Sequence, residues 1–271
     1  MILGTAAAEG VPALFCGCDA CVFARTNGGK EIRARQSLYI APDILIDLGP
    51  DAMYSVHRFG LDWTGLRAVL YTHSHRDHCC PDNLSFVRYP FAHGRPDTLD
   101  TYGNHFVRRL IAAIGATTPD DEFAGPFHLV KTFEPFALPN AEAVAIPSHH
   151  RGDGEESLNY IITRDGKSLL YCLDTGHYDE ETWEFLKTIR LDGVIFECTN
   201  GLVSGKYHGH LGLPEVVEMK ARLTDQGTLA ADAPAAITHF SHNGIRPYAE
   251  MEAAAAPHGL QVAYDGMVVR L

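Results

Sequence analysis

The chain has 271 residues, 46% of them hydrophobic and 21% charged, and a formal net charge of −12 from 34 acidic and 22 basic residues. That composition is ordinary for a globular protein, and its acidic balance disfavours long nucleic acid, whose affinity rests on neutralised phosphates. No apolar run reaches the ~20 residues needed to cross a bilayer. Met1-Ile2-Leu3-Gly4-Thr5 has no basic start, so no secretory signal is expected and the chain reads as cytoplasmic, with no membrane partner.

In chain order, Arg25, Lys30, Arg33 and Arg35 form the nearest approach to a basic stretch, but Glu31 and a glycine pair interrupt it, and it reads as a solvated loop. Residues 38–40 and 44–47 flank Pro42-Asp43, a hairpin signal. Residues 66–72 form a short apolar run suited to a strand covered on both faces. A short strand is expected at 98–102. A helix follows at 104–114, with Asn104 as its N-cap and Phe106, Leu110, Ile111 and Ile114 at helical spacing. Residues 144–146 lead toward His149. Residues 159–162 and 168–173 pair across Arg164-Asp165-Gly166, where Asp-Gly is a turn pair. Further on, 179–189 reads as a helix, 193–196 as a strand, 214–223 as a helix with proline in its first turn, and 236–238 as a last inner strand. A helix is expected over 251–256, and 262–269 reads as a closing hairpin around Asp265-Gly266. No repeat, linker or compositional break divides residues 1–271, so one domain is expected. The irregular stretch 87–136 is the expected place for a wall or lid beside a site.

The strongest chemical signal directly follows the apolar strand at 66–72: Tyr71-Thr-His-Ser-His-Arg-Asp-His78. A loop at the C-terminal end of a buried strand is where open α/β sheets place their chemistry. His73 and His75, one residue apart, point the same way from extended backbone. Asp77 and His78 follow and can supply a second ion once the chain turns. Imidazole and carboxylate together suit zinc, manganese or iron. Four such groups at this spacing are poorly explained as an accident of an exposed loop.

This run resembles the signature of the metallo-β-lactamase superfamily, whose fold is a four-layer αββα sandwich with a two-metal site on one edge. Later segments match the family's remaining ligands in order. Ile146-Pro-Ser-His149 resembles the segment carrying a third histidine of the first site, and the sequence favours His149 over its neighbour His150 without deciding between them. Leu170-Tyr-Cys-Leu-Asp174 resembles the strand ending in the bridging aspartate, and Ile237-Thr-His239 the last histidine of the second site. The resemblance thus implies one ion held by His73, His75 and His149, another by Asp77, His78 and His239, and Asp174 between them. Two cations sharing a water lower its pKa toward neutrality and offset charge in the transition state.

Seven cysteines is an odd count, and Cys16, Cys18 and Cys21 lie too close together to pair easily, which in a reducing compartment points to metal. The run from Leu3 to Cys21 resembles a branch of the superfamily typified by PhnP, a cyclic phosphodiesterase of bacterial phosphonate breakdown. The resemblance implies a structural zinc held by Cys16, Cys18, Cys21 and His242. The closing segment Ala263-Tyr-Asp-Gly-Met-Val268 is similar to the last strand of that branch, and Tyr207-His208-Gly-His210-Leu resembles a phosphodiesterase motif whose histidine meets the phosphate or leaving oxygen. His210 is the match by position, His208 the weaker one. Asp77 and His210 are therefore the residues expected to take part directly in catalysis. Cys79-Cys80-Pro81-Asp82 departs from the family's glycine and leucine; the two thiols read as packing residues, although either could replace His242 on the zinc.

The resemblance implies a phosphodiesterase acting on small or cyclic phosphodiesters, nucleotide or ribosyl cyclic phosphates among them, with two divalent ions (manganese, zinc or iron) and one structural zinc; a homodimer is compatible with it. The rivals are ester, thioester or lactam hydrolysis at the same centre, and a non-hydrolytic relative in cofactor biosynthesis. The protein of that kind in pyrroloquinoline quinone assembly typically has a degraded histidine motif, whereas His73, His75, Asp77 and His78 are all present here. Transfer-RNA 3′ processing is disfavoured by the acidic balance.

Overall fold

A computed structural model describes residues 1–95, 98–115, 125–150, 154–205 and 209–271. Two sheets make up its centre. The first runs in the order β1 (Ile2–Gly4), β2 (Ser37–Ile40), β3 (Ile44–Ile46), β4 (Ala68–Leu70), β5 (Asp100–Gly103) and β6 (Phe127–Leu129). The second contains β7 (Pro135–Leu138), β8 (Ala141–Pro147), β9 (Leu158–Arg164), β10 (Lys167–Cys172), β11 (Gly193–Glu197), β12 (Ala235–Thr238) and β13 (Gln261–Val262), in spatial order 13-12-11-10-9-8-7. In each sheet antiparallel hairpins give way to parallel strands: β3–β4–β5–β6 in one, β10–β11–β12–β13 in the other.

Period-two alternation sorts the side chains into layers. Ile44, Ile46, Ala68 and Leu70 face Tyr160, Ile162, Leu169, Tyr171 and Ile195 in a core between the sheets. The intervening Leu45 and Val69 point outward and pack with Leu84, Val107 and Ile111. On the second sheet Leu170, Cys172, Val194 and Phe196 point outward against Trp183, Leu186, Val216, Met219 and Met251. Helices thus cover both outer faces: α1 (Asp19–Asn27), α2 (Ala52–Phe59) and α3 (His105–Gly115) belong to the first half of the chain, and α4 (Glu180–Leu186), α5 (Leu213–Asp225) and α6 (Tyr248–Ala255) to the second. This is the αββα sandwich. No helix among the described residues is long and apolar enough to cross a membrane.

Local expectations hold where the chemistry is short-range. Asn104 Oδ1 accepts from the backbone N–H groups of Phe106 and Val107, capping α3. Asp165 and Gly166 both adopt positive φ between paired Arg164 and Lys167, the two-residue turn that suits strand twist. Two readings are corrected. Arg25 lies in α1, so the basic stretch begins in a helix. Residues 262–269 form no hairpin: only Gln261–Val262 is strand, and the following chain runs beside β1, with Ile2 N–H donating to Met267 O and Gly266 N–H to Ile2 O. Asp265 is drawn inward instead, accepting from Thr5 Oγ1 and Ala34 N.

Candidate metal centre

The loops after β3, β4, β8, β10, β11 and β12 meet at one edge of the sandwich. His73, His75, Asp77 and His78 come from the loop after β4. Gly49, from the loop after β3, makes that loop's close passage feasible: a Cβ there would lie 2.2 Å from Asp77 O.

Two clusters form. In the first, His73 Nε2 lies 2.8 Å from His75 Nδ1, which lies 3.1 Å from His150 Nε2. In the second, Asp77, His78 and His239 converge, with His78 Nε2 3.0 Å from Asp77 Oδ2. Asp174 stands between them: its Oδ2 is 2.7 Å from His78 Nε2 and 3.8 Å from His73 Nε2. The reading that favoured His149 is corrected. Adjacent residues of extended chain point to opposite sides, and here His150 turns inward while the half-exposed His149 turns out to Asp179, 3.5 Å from its carboxylate. Gly209 lets the His210 loop close over this turn; a Cβ there would meet His150 O at 2.7 Å. His208 lies outside the described residues.

The ring nitrogens are divided consistently. His73 Nδ1 is engaged by Thr72 Oγ1 at 3.0 Å, His78 Nδ1 by Asp47 Oδ2 at 2.7 Å, and His239 Nδ1 by Thr199 Oγ1 at 2.8 Å. Asp47 also accepts from Thr72 N and Oγ1, so one carboxylate orients ligands on both clusters. In these three rings the outward Nδ1 has a partner and Nε2 faces the shared space, the arrangement that fixes a metal-ligating imidazole, whereas His75 presents Nδ1 to its cluster. His78 Nε2, His239 Nε2 and Asp174 Oδ2 are buried without a hydrogen-bond partner, although the first and last are 2.7 Å apart. Buried polar atoms left unpaired are costly, and divalent cations at the two clusters would satisfy all three. The residues fit the group.

The electrostatics divide the ligands: burial acts against charge on His78, but Asp77, Asp174 and Asp47 outweigh it and raise that imidazole well above its usual range. Burial, aided by His78, pushes His73 well below the usual imidazole range, toward the neutral form that ligates. Burial opposes the charge on Asp77 and Asp174, but the neighbouring histidines, His78 for Asp77 and His239 with His78 for Asp174, outweigh it and hold both carboxyls well below their ordinary value. Asp47, Asp174 and His239 all take left-handed backbone, with φ of 64°, 43° and 58°. Such strain in non-glycine residues collects at functional sites, and here each lies within two residues of a strand's C-terminal end.

His210 overlooks both clusters, its ring 4.6 Å from that of His150 and 5.9 Å from that of His239. Its Nδ1 is held by buried Glu197 at 2.7 Å and lies 3.5 Å from Asp174. Burial acts against its charge, but Glu197 outweighs burial and raises the imidazole to about 9. Sequence reasoning missed Glu197, Thr199, Thr72 and Asp47; the one signal available was their place at the C-terminal ends of expected strands.

A separate group lies nearby. The Cys16, Cys18 and Cys21 sulfurs lie 3.3, 3.4 and 3.4 Å from His242 Nδ1. Three sulfurs and one nitrogen meeting at a point fit a tetrahedral zinc. Cys79 lies in the outer core with Leu48 and Leu84, and neither it nor Cys80 belongs to this group.

The sequence profile described as "Beta-lactamase superfamily domain" matches residues 43–231. The coenzyme PQQ synthesis protein B of Methylobacterium nodulans is 26% identical, over all of this chain and 99% of that protein. Among solved structures, a diphosphatase from the PhnP family superposes with a TM-score of 0.78 at 23% identity, covering all of this chain and 96% of the other. Zinc-bound PqqB from Methylobacterium extorquens superposes at 0.73 with 18% identity, covering 100% and 99%. With the profile spanning most of the chain and the layered fold and histidine edge described above, the chain belongs to the metallo-β-lactamase-fold hydrolase superfamily.

Proposed function

We propose that this chain is a dinuclear metal-dependent phosphodiesterase acting on small or cyclic phosphodiesters, such as nucleotide or ribosyl cyclic phosphates. His73, His75 and His150 would hold one ion, Asp77, His78 and His239 the other, with Asp174 between them. When bound, the two cations would lower the pKa of a water at the site and offset charge on the phosphate oxygens. Asp77, kept ionised, can accept a hydrogen bond from the attacking water.

The observation that carries the phosphodiester reading is the Glu197–His210 pair. With Nδ1 engaged by Glu197, the opposite nitrogen of His210 is the one that can meet substrate. Glu197 favours the protonated form of His210, which can neutralise a phosphate oxygen and donate its proton to the departing one. Water attacks phosphorus, the bond to the leaving oxygen breaks, that oxygen takes the His210 proton, and the proton shed by the water returns His210 to its charged form. The structural likeness to a PhnP-family diphosphatase supports phosphoryl chemistry. Cys16, Cys18, Cys21 and His242 would hold a structural zinc.

The test is turnover by manganese- or zinc-loaded protein of a bis-aryl phosphodiester and a 2′,3′-cyclic nucleotide, beside a thioester and a lactam. Phosphodiester turnover that chelation abolishes is expected; turnover confined to the thioester or lactam would overturn the reading. A second reading, a role in cofactor assembly, is favoured by likeness to PQQ synthesis protein B over the full length of both chains. Against it stands the complete set of converging ligands, and absence of all hydrolysis by metal-loaded protein would decide for it.

A further inference from the structure

Within the 73–78 loop, Ser74 sits between His73 and His75 and turns its hydroxyl to Glu155. Its backbone N–H donates to Glu155 Oε1 at 2.8 Å and its hydroxyl to Glu155 Oε2 at 2.5 Å. Glu155 is 5% exposed. Its Oε1 also accepts from Asn104 Nδ2 at 2.8 Å, and the same amide nitrogen donates to Glu156 O, while Asn104 Oδ1 caps α3. A buried carboxylate receiving these donors forms short, strong bonds of fixed direction. Glu155 lies five residues beyond His150, on the segment that supplies the third imidazole of the first cluster. One carboxylate therefore cross-links the two stretches of chain that carry His73, His75 and His150, and locks both to the capped end of α3.

We propose that Glu155 is a positioning residue for the first metal ion: through Ser74 it sets the separation and aim of the His73–His75–His150 cluster, and it leaves the Asp77–His78–His239 cluster to Asp47 and Thr199. The division of labour follows from which elements each carboxylate or hydroxyl touches. Asp47 and Thr199 bond directly to ligand rings, and Thr199 engages the second cluster. Glu155 instead bonds to the backbone between two ligands, so its loss releases the loop while leaving every ligand present. The glutamine analogue keeps the shape but turns one acceptor oxygen into an N–H donor. That donor must face either Ser74 or Asn104, both of which already donate.

This inference rests on the two-metal reading, and calorimetric and visible-absorption titration with Co²⁺ separates the two. The full-length chain is used, stripped of catalytic metal by chelator. Wild type is expected to take up two Co²⁺ ions at the histidine centre. In Glu155→Gln one of the two should bind roughly 10- to 100-fold more weakly, the range found when partners of metal ligands are removed, with the other ion unchanged within about threefold. The weakened ion should be the one lost in His150→Ala, and the double variant should lose no more than His150→Ala alone, the mark of groups acting through one another. Ser74→Ala, which keeps the backbone bond to Glu155, should weaken the same ion by a smaller factor and guards against a variant that does not fold. Equal weakening of both ions, or two unchanged affinities in Glu155→Gln, would overturn the proposal while leaving the metal centre standing. Wild-type protein that takes up no Co²⁺ at these histidines would overturn the metal reading and this inference with it.

Discussion

His210 shows how a single buried contact assigns a role. An imidazole as enclosed as this one should lose its proton easily, yet Glu197 at 2.7 Å reverses that and raises it to about 9. If its role is to protonate the leaving oxygen, His210→Ala should lower kcat by ~10²–10⁴ with an alkyl leaving group, the usual scale of general acid catalysis. The loss should be smaller with a 4-nitrophenyl group, which departs without help; equal losses on both would count against proton donation. The sign of the pH effect follows. The acid form is the active one, so activity is lost as pH rises through the imidazole pKa. Glu197→Gln removes the charge that raises that pKa and should move the alkaline limb of the kcat profile to lower pH. At this scale His73, His75, Asp77 and His78 were legible because four metal-ligand side chains are crowded behind one apolar strand. His150 was not, because a choice between neighbouring histidines depends on where β8 ends and how the next residues turn.

Elements act by carrying these residues to one edge. Parallel strands place their C-terminal ends side by side, so β3, β4, β10, β11 and β12 bring Asp47, His73, Asp174, Glu197 and His239 together from distant stretches of sequence. The N-terminal loop is tied to the same edge: Phe240 N–H donates to Thr5 O, Ala7 N–H to Phe240 O, and the Ser241 hydroxyl to Glu9. Cys16, Cys18, Cys21 and His242 complete this lacing three residues from His239. Binding of a structural zinc is coupled to folding. Cys18→Ser should therefore release one zinc and lower the melting temperature by roughly 5–10 °C, at about 2–4 °C per kcal/mol for a chain of this size. Retained zinc with unchanged melting would refute the structural role. The triplet itself was readable from spacing, but pairing His242 with it required a resemblance, since that residue lies more than two hundred residues away.

Across the whole molecule, buried polar contacts join the two sheets beneath the site. Tyr160 Oη donates to Tyr71 O at 2.7 Å, Gln36 Nε2 to Tyr171 Oη at 3.0 Å, and Thr238 Oγ1 to Gln36 Oε1 at 2.5 Å. These contacts hold the β4 and β12 edges, and so the two clusters, in fixed register. The C-terminal segment adds Asp265, whose carboxyl burial raises from 3.8 to about 6 despite bonds from Ala34 N and Thr5 Oγ1 and the nearby Arg33 charge. The folded state thus keeps this proton to higher pH than the unfolded state. The group's contribution to stability is fully present below 3.8 and is lost as pH rises through about 6. The amount is on the order of 3 kcal/mol across that window. Asp265→Asn keeps one acceptor oxygen and gives up or reverses the other hydrogen bond, a cost that does not vary with pH, and should remove this component, so the difference between the denaturant-unfolding free energies of variant and wild type should change with pH between 4 and 6. A constant difference over that range would show that Asp265 is already ionised in the folded chain.

The amino-acid order by itself determined the layered architecture's local parts: the buried strand before His73, the capped helix at Asn104, the Asp-Gly turn, and the ligand types available to a metal. These depend on alternation, capping and turn chemistry within a few residues, where backbone geometry leaves little choice. Tertiary structure alone decided that His150 and not His149 joins the His73–His75 cluster, that Asp47, Thr72 and Thr199 hold the rings, that Glu197 charges His210, and that 262–269 runs beside β1. Each of these is settled by a contact between segments far apart in the chain, whose energy exists only once the sheets have closed on their shared core.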